Sequence, residues 1–210
     1  MKKMLFMMAV AIFSFGHAQI KDSANQKKVY LKGNALFLPI GMLNVGVEHQ
    51  LGTKWTMQEE IFISPWKSFM GKYAQVYMAS VEARYYFNEA FKHFYVGANL
   101  HFARYIMQKY NYWPDAPYQY EPGFPVYKTS DLYQDGFAIM AGATVGYQWQ
   151  INDHWNLDLY VGGGHSEGFY KGFHKEIPGI RYDPDPTREY NRSGEWVPYK
   201  GGVMISYRLK

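Results

Sequence analysis

The sequence contains no cysteine, and only 19% of its 210 residues are charged. A chain without cysteine has no disulfide framework, no thiolate metal site, no cysteine nucleophile and no lipid-modified cysteine anchor. The chain also has no large excess of positive or negative charge. Without Lys2 and Lys3 of the N-terminal segment, it contains 20 basic and 18 acidic residues. That balance is not typical of a nucleic-acid-binding protein, so no nucleic-acid partner is expected, and no motif predicts a cofactor or a metal.

Long apolar runs are also absent, except at the N-terminus. There, residues 4–15 form an apolar run after Lys2 and Lys3, and the small residues Gly16 and Ala18 follow it. This order of charge, apolar run and small residues predicts a secretory signal peptide cleaved after Ala18. The run is shorter than the roughly 20 residues of a membrane-spanning helix. The expected organisation is a signal peptide, a short lead and one folded domain, at residues 1–18, 19–29 and 30–210.

The remainder of the chain alternates apolar residues with small or polar ones. In residues 136–151, every second residue from Phe137 to Ile151 is apolar or aromatic. This period of two is typical of β-strands, whose successive side chains point to opposite faces. Eight segments are predicted as strands, at 30–38, 43–48, 55–64, 75–87, 94–102, 136–151, 155–162 and 202–209. In the third segment Glu59 and Glu60 are adjacent and must point to opposite faces, which predicts a bulge or an early strand end there.

The connections between these segments alternate in length. Short turns are expected at Gly52-Thr53, Asn88-Glu89-Ala90 and Asn152-Asp153, and longer loops at 65–72, 106–134 and 167–197. Short turns on one rim, long loops on the other and an even number of strands are the layout of an outer-membrane barrel. The predicted fold class is therefore all-β: an eight-stranded antiparallel up-and-down transmembrane β-barrel.

Alternation alone does not decide whether the apolar face points into a cavity or out into lipid. The polar face is rich in glycine and alanine, which suits the crowded interior of a narrow barrel. Aromatic residues near strand ends are predicted to form two interfacial girdles: Trp55, Tyr86, Phe87, Phe94, Tyr105, Trp149, Trp155 and Tyr207. Both features favour a barrel in the outer membrane of a Gram-negative bacterium, with a secreted lipocalin-like binder of a hydrophobic ligand as the alternative.

In a membrane barrel the polar face points into the lumen. Ionisable residues of that face are then expected to pair across the interior as a polar network: Glu48, Glu82, Arg84, His101, Asp158 and Arg208. A lumen of eight strands is just wide enough for side chains to fill it, so no transport pore is expected.

Three stretches carry a resemblance to a known group. They are NALFLPIGMLNVGVEHQLGTKW at 34–55, SVEARYYFNEAF at 80–91 and GATVGYQWQINDHWNLDLYVGGG at 142–164. The chain resembles a family of small outer-membrane β-barrels from gut and oral anaerobes that is known only as a domain of unknown function. The resemblance covers most of residues 32–209. It implies a fold and an outer-membrane location, but no activity.

An enzymatic alternative rests on His165, Ser166 and Glu167. The chain length is similar to that of outer-membrane lipid A acylhydrolases and acyltransferases, which need a histidine base, a serine nucleophile and a carboxylate within hydrogen-bond reach. Neighbouring residues of a strand point to opposite faces, so His165 and Ser166 meet only where the chain has left the sheet. We therefore expect no enzymatic activity and keep a lipid A-modifying enzyme as the alternative.

The two longest predicted loops combine aromatic residues with proline or with basic residues. Stiffened aromatic loops offer contact area at a low ordering cost, and basic residues suit a glycan, a lipopolysaccharide phosphate or a protein. The candidate surface-binding residues are Tyr112, Trp113, Tyr118, Tyr120, Phe173, Arg181, Tyr182 and Trp196. We expect membrane lipid and lipopolysaccharide around the barrel, a surface glycan or protein as ligand, and a monomer or a subunit of an envelope complex.

Overall fold

The computed structural model describes residues 27–177, 179–185 and 187–209. The predicted signal peptide and most of the predicted lead lie outside these residues. The described residues form ten strands: β1 Val29–Asn34, β2 Leu43–Gln50, β3 Trp55–Phe69, β4 Lys72–Tyr86, β5 His93–Met107, β6 Pro117–Tyr118, β7 Tyr127–Lys128, β8 Leu132–Gln150, β9 Trp155–His174 and β10 Asn191–Arg208. Short 3-10 helices cover Leu38–Ile40, Tyr110–Tyr112 and Thr129–Asp131. None of the described helices has the length and apolar character needed to cross a membrane.

Eight of the strands close into one antiparallel barrel in the order β1-β10-β9-β8-β5-β4-β3-β2. The first and last strands close the ring, with Asn34 opposite Met204. The two-residue strands β6 and β7 form a separate hairpin within the connection from β5 to β8. The predicted all-β fold with eight antiparallel strands is confirmed.

Two of the predicted loops are shorter than expected. Residues 65–72 were expected as a loop, but β3 and β4 continue through them to a tight turn at Met70 and Gly71, both with positive φ. The predicted loop 167–197 shrinks to residues 175–190, because β9 runs to His174 and β10 begins at Asn191. Alternation of apolar residues stops earlier than the strands do, since outward positions such as His165 are polar there.

The predicted bulge at Glu59 and Glu60 is wrong. The pairing of β3 with β4 is regular there, with Glu59 pointing outward and Glu60 buried inside the barrel. Register shifts occur instead between Trp66 and Phe69 and between Pro198 and Lys200. Proline has no N–H to donate to a neighbouring strand, which explains why the second irregularity falls at Pro198.

The two faces of the barrel differ sharply in chemistry. Polar and charged side chains of the inward face are buried, including Lys32, Glu48 and Arg84. The outward face exposes large apolar residues on every barrel strand, among them Leu31, Val47, Ile61, Val81, Leu100, Val145, Leu159 and Ile205. Charge therefore lies inside and apolar surface outside, the reverse of a water-soluble barrel.

The aromatic residues follow the same division. Exposed aromatic side chains surround the rim of short turns: Trp55, Phe87, Phe94, Trp149, Trp155 and Tyr207. Tyr86 and Tyr105 were expected in a girdle, but both are buried inside the barrel. Each occupies one of the alternate positions of its strand, β4 or β5, whose side chains point inward, and we call this inward parity. A ring of six exposed aromatic residues thus marks one end of the apolar surface.

Candidate functional site

A layer of buried ion pairs crosses the lumen near the short-turn ends of the strands. On β4, Arg84 donates from Nε to Glu82 Oε1 at 2.5 Å and from Nη1 to Asp158 Oδ2 at 2.9 Å. On β1, Lys32 Nζ donates to Glu48 Oε2 at 2.7 Å and to Asp158 Oδ2 at 2.6 Å. The side chains of Lys32, Glu48, Arg84 and Asp158 are 0% exposed. We call Lys32, Glu48, Glu82, Arg84 and Asp158 the central layer.

Hydroxyl groups complete the bonding of the carboxylates in the central layer. Glu48 Oε1 accepts from Thr56 Oγ1 at 2.6 Å and from Tyr86 OH at 2.7 Å. Asp158 Oδ1 accepts from Tyr95 OH at 2.9 Å, and the ring of Tyr95 also lies 4.5 Å from the Arg84 guanidinium carbon. Because buried charges are costly without such partners, every contact in the layer contributes to keeping it folded.

A second group of polar contacts adjoins the central layer. Lys200 Nζ donates to Glu82 Oε2 at 2.8 Å and to Glu60 Oε2 at 3.3 Å. Thr144 Oγ1 donates to the same Glu82 oxygen at 2.6 Å. Glu82 therefore joins the two groups, with Arg84 on one carboxylate oxygen and Lys200 on the other.

The sequence prediction places four of six residues in this network. Glu48, Glu82, Arg84 and Asp158 lie together, as the alternation of their strands indicated. His101 is also buried, at 1% exposure, but among the described residues its ring nitrogens have no hydrogen-bond partner, and the ring packs 4.8 Å from that of Tyr199.

Arg208 is not part of the network. Its side chain is half-buried, and no carboxylate of the described residues lies within ion-pair distance of it. Its backbone N–H donates to the His154 carbonyl at 2.7 Å. Arg208 has inward parity, but it lies at the last position of β10, next to the short turns and opposite Tyr30.

The sequence prediction did not include three charged residues of the network, which are Lys32, Glu60 and Lys200. Lys32 lies in predicted strand 30–38, where the alternation is less regular, and Glu60 was assigned to a bulge or an early strand end. Lys200 was missed because it lies before residue 202, where the last predicted strand begins, whereas β10 continues through Lys200 and through the irregularity at Pro198. The proline itself is the only signal in the sequence that points to this irregularity.

The long loops pack on each other above the barrel. Tyr182 is buried, donates from its hydroxyl to Tyr112 OH at 3.1 Å and meets the ring of Tyr118 edge-on at 5.4 Å. Asp183 accepts from the Gly172 backbone N–H at 2.9 Å and from Asn191 Nδ2 at 2.6 Å. Burial raises the pKa of the Asp183 carboxyl above its ordinary value. We call loop residues 108–131 and 175–190 together the loop head.

The other predicted surface-binding residues lie in different settings. Arg181 donates to the carbonyls of Glu189 and Asp183, so it holds the loop rather than facing a ligand. Tyr120 packs edge-on against Phe124 at 5.6 Å, and Trp113 is 54% exposed.

Phe173 and Trp196 are strand residues and not loop residues. Phe173 lies in β9, with its ring 5.8 Å from that of Tyr133. Trp196 lies in β10, is 81% exposed and contacts the ring of His165 edge-on. The structure therefore separates the predicted surface-binding set into contacts within the loop head, one exposed loop tryptophan and two aromatic residues of the barrel strands.

The residues of the enzymatic alternative all lie within β9. His165 Nε2 is 3.4 Å from Glu167 Oε2 on the outward face, and Ser166 between them points inward. This arrangement does not bring the serine hydroxyl to the histidine. Among the described residues, no group of three or more His, Asp and Glu side chains could hold a metal ion.

The fold and the buried network define the class of the protein: an eight-stranded antiparallel β-barrel whose lumen is occupied by ion pairs. The family described as "Protein of unknown function (DUF3575)" matches residues 4–209, so the chain belongs to that family. The resemblance seen in the sequence is confirmed as far as a family of unknown function. No curated protein matches the chain.

Proposed function

We propose that this protein is an integral barrel of the bacterial outer membrane that has no transport pore and carries the loop head at the cell surface. The observation that carries the proposal is the inverted distribution of polarity. Charged side chains are sealed inside the barrel, and large apolar side chains are exposed on its outside. Water would penalise this outer surface, whereas the hydrocarbon of a bilayer would not.

The height of the apolar surface supports the proposal. On β4 the outward aromatic residues Tyr85 and Tyr77 are eight positions apart, and on β5 Phe94 and Phe102 have the same separation. Eight strand residues span about 26 Å along the strand, or about 20 Å along the axis of a barrel tilted by 40°. That height is close to the apolar band of about 25 Å of known outer-membrane barrels.

The central layer argues for a structural or surface-binding role instead of transport. Its side chains come from four strands on different sides of the ring, and water reaches none of them. An eight-stranded barrel leaves no further width for a channel beside such a layer. We infer that the barrel serves as a rigid anchor and that recognition takes place in the loop head, with a surface glycan or protein as the ligand class.

Neither alternative gains a supporting observation. A lipocalin-like binder needs an apolar lumen for its ligand, and here ion pairs occupy the lumen. A lipid A-modifying enzyme needs a serine next to its histidine base, and β9 directs His165 and Ser166 to opposite faces.

Envelope fractionation and gel mobility test the membrane proposal. The purified protein is run in detergent either unheated or boiled, because closed membrane barrels resist detergent until heated. We expect the protein in the outer-membrane fraction and a mobility shift between the two samples. A soluble periplasmic protein without a shift would contradict the proposal. An envelope porin of known behaviour serves as the positive control.

A further inference from the structure

The apolar belt has one ionisable interruption among the described residues. His93 lies on the short-turn rim itself, where its ring contacts Tyr147. Above the rim, the outward residues of the next eight positions are apolar, aromatic or glycine except His49 on β2 and Glu59 on β3. The two form a pair, with His49 Nδ1 3.3 Å from Glu59 Oε2. Glu59 lies four residues beyond Trp55, or about 10 Å above the aromatic ring at the short turns. An ionisable pair at that depth is costly in lipid and indicates a functional contact.

The same side of the barrel contains its two shortest strands, β1 and β2. β1 ends at Asn34 and β2 begins only at Leu43, whereas the flanking strands β10 and β3 continue further toward the long loops. The last backbone bond from this hairpin to β10 is donated by Ala35 N to Val203 O. Beyond it, no described strand pairs with that edge of β10. Backbone groups at membrane depth have no water to bond, so protein has to cover the lower part of this edge.

The hairpin tip between β1 and β2 adds exposed apolar surface to this face. Leu36 and Leu38 are exposed, and so is Ile40, which follows in the same short helical turn. One face therefore combines two short strands, an apolar tip and the ionisable pair. We call the outward face of β1, β2 and β3 with this tip the β1–β3 face.

A second copy of the chain fits this face best, because the pair is complementary to itself. In a twofold contact, residue i of one copy meets residue j of the other and the reverse. Because His49 and Glu59 lie side by side, a twofold contact lets His49 of each copy meet Glu59 of the other. His49 has a second ring nitrogen, Nε2, which reaches outward when Nδ1 faces its own Glu59. We propose that the β1–β3 face docks a second copy in the membrane, with His49 of each copy bonded to Glu59 of the other.

This inference rests on the proposed membrane location, and the absence of cysteine makes it directly testable. Val47 is directly opposite Glu59 on the β1–β3 face, and Leu159 is an outward apolar residue of β9 away from it. Val47→Cys and Leu159→Cys are each made as single substitutions and treated with a bis-maleimide in unextracted envelopes. We expect a band of two copies with Val47→Cys and little of it with Leu159→Cys.

The second variant tests the ionisable pair itself. Adding Glu59→Leu to Val47→Cys should lower the yield of the crosslinked dimer by about tenfold or more, because a buried charged partner is lost from both halves of the contact. The heat-dependent gel shift must persist, which shows that the barrel still folds. Equal crosslinking at both cysteines, no dimer with Val47→Cys, or a crosslink from Val47→Cys to a different protein would each overturn the proposal.

The membrane location is checked on the same samples. In unextracted envelopes, Leu159→Cys should resist a charged, water-soluble maleimide and react once the envelope is dissolved and the barrel denatured. Ready labelling before extraction would overturn the membrane proposal. Protection of Leu159→Cys without a dimer at Val47→Cys would overturn the contact alone.

Discussion

The lumen and the interior of the loop head both bury polar side chains, but different interactions stabilise them. In the lumen, Arg84 and Lys32 bond to carboxylates from other strands at 0% exposure. In the loop head, Tyr182 and its tyrosine neighbours supply most contacts, and Asp183 is the buried charge. Ladder-bonded strands hold opposite charges at fixed distances, which offsets their desolvation. Loops hold their side chains less precisely, so apolar ring contacts are the safer way to stabilise them.

The largest expected effect comes from removing the guanidinium group of Arg84, which bonds to three carboxylates in the lumen. Arg84→Ala leaves Glu48, Glu82 and Asp158 with fewer positive partners in a dry interior, so the free energy of unfolding should fall by about 3–5 kcal/mol. Urea unfolding in detergent micelles, followed by tryptophan fluorescence, measures the change. The control is Lys171→Ala, which breaks the partly exposed pair with Glu189 and should cost less than about 1 kcal/mol. Equal losses in the two variants would remove the contrast between lumen and surface.

A smaller loss is expected from Glu82→Gln. This substitution keeps the side-chain shape but removes the charge that faces both Arg84 and Lys200, and charged hydrogen bonds of this kind are worth about 2 kcal/mol. The temperature at which the unheated gel band converts to the boiled form should fall. Glu167→Gln on the outer face of β9 is the matched control and should leave that temperature unchanged. An unchanged temperature in Glu82→Gln would show that Glu82 does not join the two groups of contacts.

Tyr182→Phe should loosen the loop head without affecting the barrel. The variant loses one hydroxyl bond to Tyr112, worth about 1 kcal/mol, and retains the ring contacts. We expect faster proteolytic cleavage within residues 175–190 at an unchanged gel conversion temperature. Tyr110→Phe, on a largely exposed ring of the same head, is the control. A lower conversion temperature in Tyr182→Phe would mean that the head supports the barrel.

The smallest effect is a pH dependence of the loop head through Asp183. Because burial raises the pKa of this carboxyl, the closed head binds the proton more tightly than an open loop does. The resulting stabilisation is fully present below the ordinary pKa near 3.8 and is lost as the pH rises through the raised value. Spin labels on Trp113→Cys and Ile180→Cys should give a narrower distance distribution at about pH 3.5 than at about pH 7.5. Asp183→Asn should abolish that difference; a persistent difference would assign it to another group.

Parity along a strand was enough to predict much of the lumen. Glu48, Glu82, Arg84 and Asp158 were assigned inward because their neighbours along each strand are apolar and point outward. Lys200 has the same parity as the inward residues of its strand, but it was not assigned because it lies before residue 202, where that strand was predicted to begin, next to the register shift after Pro198. A regular alternation of apolar and polar residues does not predict where such a register shift occurs.

The limits of the strands were harder to predict than their existence. Outward positions such as Glu167 and Lys171 lie beyond the apolar surface, so they are polar although β9 continues through them to His174. The apolar alternation therefore marks the height of the belt and not the length of the strand. For the same reason Phe173 and Trp196 were assigned to a loop that the structure assigns to strands.

The sequence by itself determined the strand-forming segments and the polarity of their two faces. These properties depend on residues one or two positions apart, and a linear pattern records them directly. Only the tertiary structure decided which charges meet. Lys32 and Asp158 are 126 positions apart and bond at 2.6 Å because barrel closure and strand tilt bring β1 and β9 to one level of the lumen. That level depends on the register of all eight strands together, which no local segment specifies.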